Sequence, residues 1–278
     1  MSAAGSRATI HGQAAPAPLQ GVTVLVTRPA HQAEGFCRLV ETAGGRALRF
    51  PALEIQDPAD LAALDAVIDR LDGYRIAIFI SPNAVHRAIG RIHARRGKLP
   101  PGLKLATVGR KTALALERLG YRADICPPAR FDSEALLEQP QLQDVADRPV
   151  VIFRGEGGRE LLGATLTARG AKVTYAEAYR RGRPDVDPGP VLRLWSQGDG
   201  HVIAITSSEA LRNLYEMMGE AGRQRLCSTP LVVGCGRMVD TAREMGFKQT
   251  PVVADDPSDE AMLEAVQKWA EKRKQTHE

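Results

Sequence analysis

Two α/β domains of similar build, each with a parallel β-sheet flanked by helices, are what this sequence predicts. Short continuous apolar runs alternate with segments of helical periodicity, the pattern of strands buried on both faces between crossover helices. The whole alternation then runs a second time, roughly 127 residues further on. A chain of 278 residues is long enough for two cores.

The first copy opens with Val-Thr-Val-Leu-Val-Thr at 22–27, a strand. Phe36, Leu39, Val40 and Ala43 follow at helical spacing, and Gly44-Gly45 ends that helix. A strand over 47–55 is interrupted by Pro51, and a helix covers 61–71. Residues 76–80 form a strand ahead of a helix opening at Ser81-Pro82. Residues 104–108 form another, ahead of a helix ending at Gly120, and a short helix begins at Glu134. The second copy has strands at 150–153, 173–179, 201–205 and 231–233. Its helices cover 160–168, open at Ser207-Ser208, end at Gly246, and start again at Ser258-Asp259-Glu260. Local sequences match as well: Ile-Ser-Pro-Asn-Ala-Val (80–85) against Thr-Ser-Ser-Glu-Ala-Leu (206–211), and Phe-Asp-Ser-Glu-Ala-Leu-Leu (131–137) against Pro-Ser-Asp-Glu-Ala-Met-Leu (257–263). So long an offset means domain duplication rather than a stacked array. Ligands of such sheets bind beyond the carboxyl ends of the strands, so two similar domains predict a cleft between facing loops.

Composition narrows the function. No stretch approaches the roughly 20 apolar residues that span a membrane, and residues 1–20 show no continuous apolar core and no cleavage-like pattern behind a basic head. The expectation is a cytoplasmic protein with a disordered extension over 1–20. Cys37, Cys126, Cys227 and Cys235 are scattered, with no CxxC pair, which predicts reduced thiols and no metal. A net charge of +4 favours an acidic ligand, but no basic run interleaved with aromatics points to nucleic acid.

The candidate chemistry lies in loops after the predicted strands: Thr27-Arg28-Pro29, Ser81-Pro82-Asn83, Gly109-Arg110-Lys111-Thr112, the run from Arg154 to Arg159, and Thr206-Ser207-Ser208. All are small, hydroxylated or basic, and most open a helix, where unpaired N–H groups attract anions. Each serine also reads simply as a helix N-cap. In Arg154-Gly155-Glu156-Gly157-Gly158-Arg159, a dinucleotide fingerprint would need glycine where Glu160 stands, and no Walker lysine follows. Backbone donors and arginines facing carboxylates fit the loop better. A periplasmic-type binding protein would share this architecture but needs a signal peptide. No GxSxG or HExxH motif is present.

Taken in order, Val-Thr-Arg-Pro, Ser-Pro-Asn-Ala-Val, Val-Gly-Arg-Lys-Thr-Ala, Phe-Asp-Ser-Glu-Ala-Leu-Leu, Phe-Arg-Gly-Glu-Gly-Gly-Arg-Glu-Leu-Leu, Ala-Glu-Ala-Tyr-Arg-Arg and Ile-Thr-Ser-Ser-Glu-Ala-Leu resemble the bacterial uroporphyrinogen-III synthase family, over about 21–266. The resemblance implies two domains joined by a two-strand connection, crossing near 51–56 and 175–181. Domain 1 would then comprise 21–50 with 182–267, and domain 2 the inserted 51–181, with a polar tail over 268–278. Periodicity alone fits tandem domains equally well.

The resemblance further implies a cofactor-free lyase. It would close hydroxymethylbilane, a linear tetrapyrrole with eight carboxylates, to uroporphyrinogen III with ring D inverted and water lost. Thr27, Arg28, Ser81, Asn83, Thr112, Arg154, Gly155, Gly157, Gly158, Ser207 and Ser208 are the expected substrate contacts. The family's second Gly-x-x-Thr loop has no counterpart at Gly234-Cys235-Gly236-Arg237-Met238. Tyr179, in the family's Glu-x-Tyr context, is the expected catalytic acid; phenols are protonated at neutral pH and can donate without tuning. The competing role is a core tyrosine bonded to a backbone carbonyl. A monomer with two mobile domains is expected, meeting the enzyme that supplies its substrate at most transiently.

Overall fold

The structure is a computed structural model and describes residues 17–196, 198 and 200–277. The chain enters β1 (Thr23–Val26), α1 (Ala30–Thr42) and β2 (Arg46–Arg49), then β3 (Glu54–Gln56) and α2 (Leu61–Asp69). Next come β4 (Ile76–Phe79), α3 (Pro82–Arg96), β5 (Lys104–Thr107), α4 (Arg110–Arg118) and the short α5 (Ser133–Leu137). The second copy runs β6 (Pro149–Gly155), α6 (Leu161–Ala168), β7 (Lys172–Gly182), α7 (Gly189–Ser196) and β8 (His201–Ile205). It ends with α8 (Ser208–Met217), α9 (Gly219–Ser228), β9 (Leu231–Val233), α10 (Arg237–Glu244), β10 (Val252–Val253) and α11 (Asp259–His277).

These elements form two compact units, one joining residues up to Glu54 with those from Arg183 onward, the other Ile55–Gly182. The first unit's sheet has the order β10-β9-β8-β1-β2 and the second's β3-β7-β6-β4-β5. Under the repeat, β6, β7, β4 and β5 are the counterparts of β1, β2, β8 and β9. Both sheets therefore read in the same sense, each pairing the leading β-α-β of one copy with later strands of the other. The pairings β1–β2, β1–β8, β8–β9, β4–β5, β4–β6 and β6–β7 are all parallel.

Two-sided burial explains the apolar runs. All four residues of β1 and of β4 are buried. In the first unit, Val24, Val26 and Val202 pack with Phe36 of α1 and Met262 and Val266 of α11. Leu25, Ile203 and Ile205 pack on the other side with Leu211, Leu214 and Met238. In the second, Ile78, Val150 and Ile152 pack with Leu136 and Leu162. On the opposite face Phe79 and Phe153 stack with centroids 5.0 Å apart.

Several boundaries differ from expectation for physical reasons. The strand expected over 47–55 divides at Pro51, which has no N–H for a ladder. Phe50 and Ala52 still donate to the Val26 and Thr27 carbonyls before the chain leaves for β3 in the other sheet. Of the extension read as disordered, 1–16 lies outside the described residues, whereas 17–20 make a turn that buries Leu19 completely. The tail expected from 268 continues α11, with Trp269 and Ala270 buried. Among the described residues no helix is long and apolar enough to cross a membrane.

An arginine–aspartate ladder ties α3 to α2. Arg91 grips Asp65 at 2.7 and 2.6 Å, and Arg95 grips Asp69 through two 2.5 Å bonds. These hydrogen bonds, from Arg91 and Arg95 respectively, are the main cause holding both carboxyls below their ordinary pKa. A lowered folded-state value adds stability above the unfolded carboxylate value, and that stability is lost as pH falls through the folded one. The window therefore opens below about pH 4. Asp65→Asn combined with Asp69→Asn is expected to lower the melting temperature by a few degrees at pH 7 and by less at an acid pH below about 4. A gap of equal size at both pH values contradicts this assignment.

Candidate active-site residues

In the first unit the expected contacts are largely engaged with the protein itself. Thr27 follows β1, is 1% exposed, and donates its hydroxyl to the Ala204 carbonyl at 2.9 Å, tying β1 to β8. Arg28 donates to the Pro257 carbonyl at 2.9 Å and pairs with Asp259 at the start of α11, its guanidinium over the Phe36 ring. Ser207 caps α8, accepting from the Ala210 N–H at 3.1 Å. The Ser208 hydroxyl lies 3.1 Å from that of Thr241, joining α8 to α10. Ser207→Ala is thus expected to cost about 1 kcal/mol of stability as a lost cap, and no more than about 1 kcal/mol of transition-state stabilisation. Melting and kcat/KM measured together check both, and a thousandfold loss of activity in a folded variant contradicts the capping role.

The second unit gathers three expected residues. Tyr179 lies on β7, 3% exposed, with its hydroxyl 3.2 Å from Ser81 Oγ. Ser81 caps α3, accepting from the Ala84 N–H at 3.1 Å, with Pro82 in the first turn. Gly155 at the end of β6 pairs with Tyr179 where the β6–β7 register shifts. A Cβ on Gly155 would stand 2.7 Å from the Tyr179 ring at Cζ and 3.1 Å from its hydroxyl. The phenol is therefore fixed between a glycine and a helix cap, not against a backbone carbonyl. Asn83, half-buried, shares the first turn of α3.

Arg154, Gly157 and Gly158 form a separate group. Parallel pairing sets Ile152 beside Tyr175 and Arg154 beside Glu177. Arg154 is 3% exposed, stacks 4.7 Å over the Tyr175 ring, pairs with Glu160 at 2.9 Å and donates to the Gly157 carbonyl. It is thus an internal brace for the glycine loop rather than the open cation its sequence position suggests. Gly157 (φ 70°) and Gly158 (φ 105°) lie in the left-handed region that favours glycine. Thr112, 3% exposed in the first turn of α4, donates its N–H to the Gly109 carbonyl. The roles of Tyr175 and Glu160 escaped the sequence reading, since only the β6–β7 register sets Tyr175 beside Ile152. Among the described residues no three His, Cys, Asp or Glu side chains gather as a metal-binding group.

The family model described as uroporphyrinogen-III synthase HemD matches residues 35–264. The chain belongs to the uroporphyrinogen-III synthase family. It is 34% identical to uroporphyrinogen-III synthase of Escherichia coli K12 over 247 residues, which are 88% of this chain and all of that one. With the enzyme of Salmonella typhimurium LT2 it shares 32% over 247 residues, again 88% of this chain and the whole relative. A crystal structure of a mutant uroporphyrinogen III synthase from the extremely thermophilic bacterium Thermus thermophilus superposes with a TM-score of 0.54 at 22% identity, covering 91% of this chain and 99% of that one. The resemblance drawn from the ordered motifs and the α/β class are both met.

Proposed function

We infer that this protein cyclises hydroxymethylbilane to uroporphyrinogen III, with loss of water and inversion of the last ring, and that Tyr179 assists departure of the hydroxyl. The family match over most of the chain carries the reaction. The Tyr179 hydroxyl beside Ser81 Oγ supports the choice of acid. The pyrrole nitrogen lone pair expels the hydroxymethyl oxygen, which takes the phenol proton and leaves as water. The resulting azafulvene is attacked by the far ring through its already substituted carbon. The spiro intermediate fragments and recloses with that ring inverted, and the proton released on rearomatisation returns to the phenolate.

Ser81 fits this cycle. Its oxygen already accepts from Ala84, so its own O–H is available to the Tyr179 oxygen as negative charge develops there. The positive ends of the α1, α3 and α8 helix dipoles suit the substrate's carboxylates. The enzyme then acts mainly by holding the chain ends in the inverting geometry, since unaided closure leaves the last ring uninverted. No oxidation state changes, so this reading requires no cofactor. We further propose a cytoplasmic monomer that binds neither membrane nor nucleic acid and meets its substrate's producer at most transiently. Chelator-treated, dialysed protein is expected to consume hydroxymethylbilane far faster than spontaneous closure does. A rate equal to the protein-free control, or one restored only by added metal, contradicts it.

A further inference from the structure

The second unit holds a cavity of about 280 Å³ at the carboxyl ends of β4, β5 and β6. Ile80, Val108 and Ile152 give it an apolar floor, and Leu162 of α6 and the Tyr175 ring wall it. Phe131 stands at its margin with 55% of its surface exposed, an unusual setting for a phenylalanine. That placement depends on Gly109, where a Cβ would come within 2.8 Å of the Phe131 Cβ. Two guanidiniums line the same cavity, Arg154 and Arg159. Arg154 is 3% exposed, and its Nε–H finds no partner although both Nη atoms do. That Nε is itself closed off from solvent, so Arg154 bounds the cavity as a fixed positive charge rather than as a free donor. Arg159 pairs at 2.6 Å with Glu134, both exposed side chains, and can exchange that carboxylate for another. The lining's one carboxylate, on Asp132, accepts from the Ala135 N–H as a cap of α5.

We propose that this cavity is a subsite for one pyrrole ring of the linear tetrapyrrole, with Phe131 stacking on the ring and Arg159 taking its carboxylate arm. The proposal rests on the function inferred above and adds a named seat within it. A flat ring bearing acid arms matches the volume, the apolar floor, the exposed aromatic face and the guanidiniums together. It lies on the α5 and α6 face of the sheet, whereas the Tyr179 hydroxyl meets the start of α3. It would therefore hold a ring other than the one undergoing departure.

The test uses the full chain and two readouts. The isotope-labelled protein is titrated by NMR with a monopyrrole carrying one acetate and one propionate arm, which binds without turnover. Saturable amide shifts at residues 131–133 and 159–162, abolished in Leu162→Trp, are expected. No saturable shifts there, or shifts unchanged by the filled cavity, overturn the subsite. Phe131→Ala, at an exposed position that leaves the core intact, is expected to raise KM for hydroxymethylbilane about tenfold with kcat within about twofold. An unchanged KM overturns it even if Leu162→Trp fails to fold. Wild-type protein that bound the monopyrrole yet left hydroxymethylbilane untouched would retain the subsite and remove the assigned reaction.

Discussion

Replacing Tyr179 with phenylalanine is expected to lower turnover by about 100-fold while leaving the melting temperature close to that of the parent. The ring keeps its packing against Gly155, and only the hydroxyl facing Ser81 is lost. General acid assistance is worth about 100- to 10,000-fold, and the low end applies because a pyrrole nitrogen can expel the hydroxyl unaided. Loss of one neutral hydrogen bond to Ser81 accounts for no more than about 1 kcal/mol of stability. The two readouts therefore separate a proton donor from a packed ring. Full activity in the variant would make Tyr179, 3% exposed, a core residue only.

Gly155→Ala is expected to approach that loss by displacing the same hydroxyl. Its φ is not in the left-handed region, so the backbone tolerates alanine, but the new methyl would collide with the phenol 2.7 Å away. The ring must move, carrying its hydroxyl away from Ser81, and overpacking of a buried site adds roughly 1–3 kcal/mol of destabilisation. If displacement of the phenol is the cause, Gly155→Ala lowers turnover little further once Tyr179 is already phenylalanine, although the stability cost persists. Wild-type turnover in Gly155→Ala, or a full second loss in the double variant, contradicts a shared origin.

Much of this arrangement was written in local sequence. Val24 to Val26 and Ile76 to Phe79 had to be doubly buried, and Ser81-Pro82 could hardly be other than a helix start. Periodicity alone left the partition of strands between the sheets open, and only the family resemblance implied it. Each copy offers the same β-α-β edges, so β1 beside β8 and β6 beside β4 satisfy the pattern as well as tandem pairing would. No helix was expected over α7 or α9, whose starts carry the turn-favouring Pro188-Gly189-Pro190 and Gly219. Arg154 misled because strand alternation was not followed to its end: it shares a face with Val150 and Ile152, beneath α6, where a long cation must find internal partners. Thr27 and Ser208 show the same limit, since a small hydroxyl at a strand end can serve a neighbouring element as readily as a ligand.

The most direct measurement is the isomer composition of the product. Hydroxymethylbilane is incubated with the purified protein and, in parallel, without it; both mixtures are oxidised and their porphyrin isomers separated. Ring closure with inversion predicts predominantly the type III isomer with protein and the uninverted isomer without. An isomer ratio identical in the two mixtures would contradict the assigned reaction.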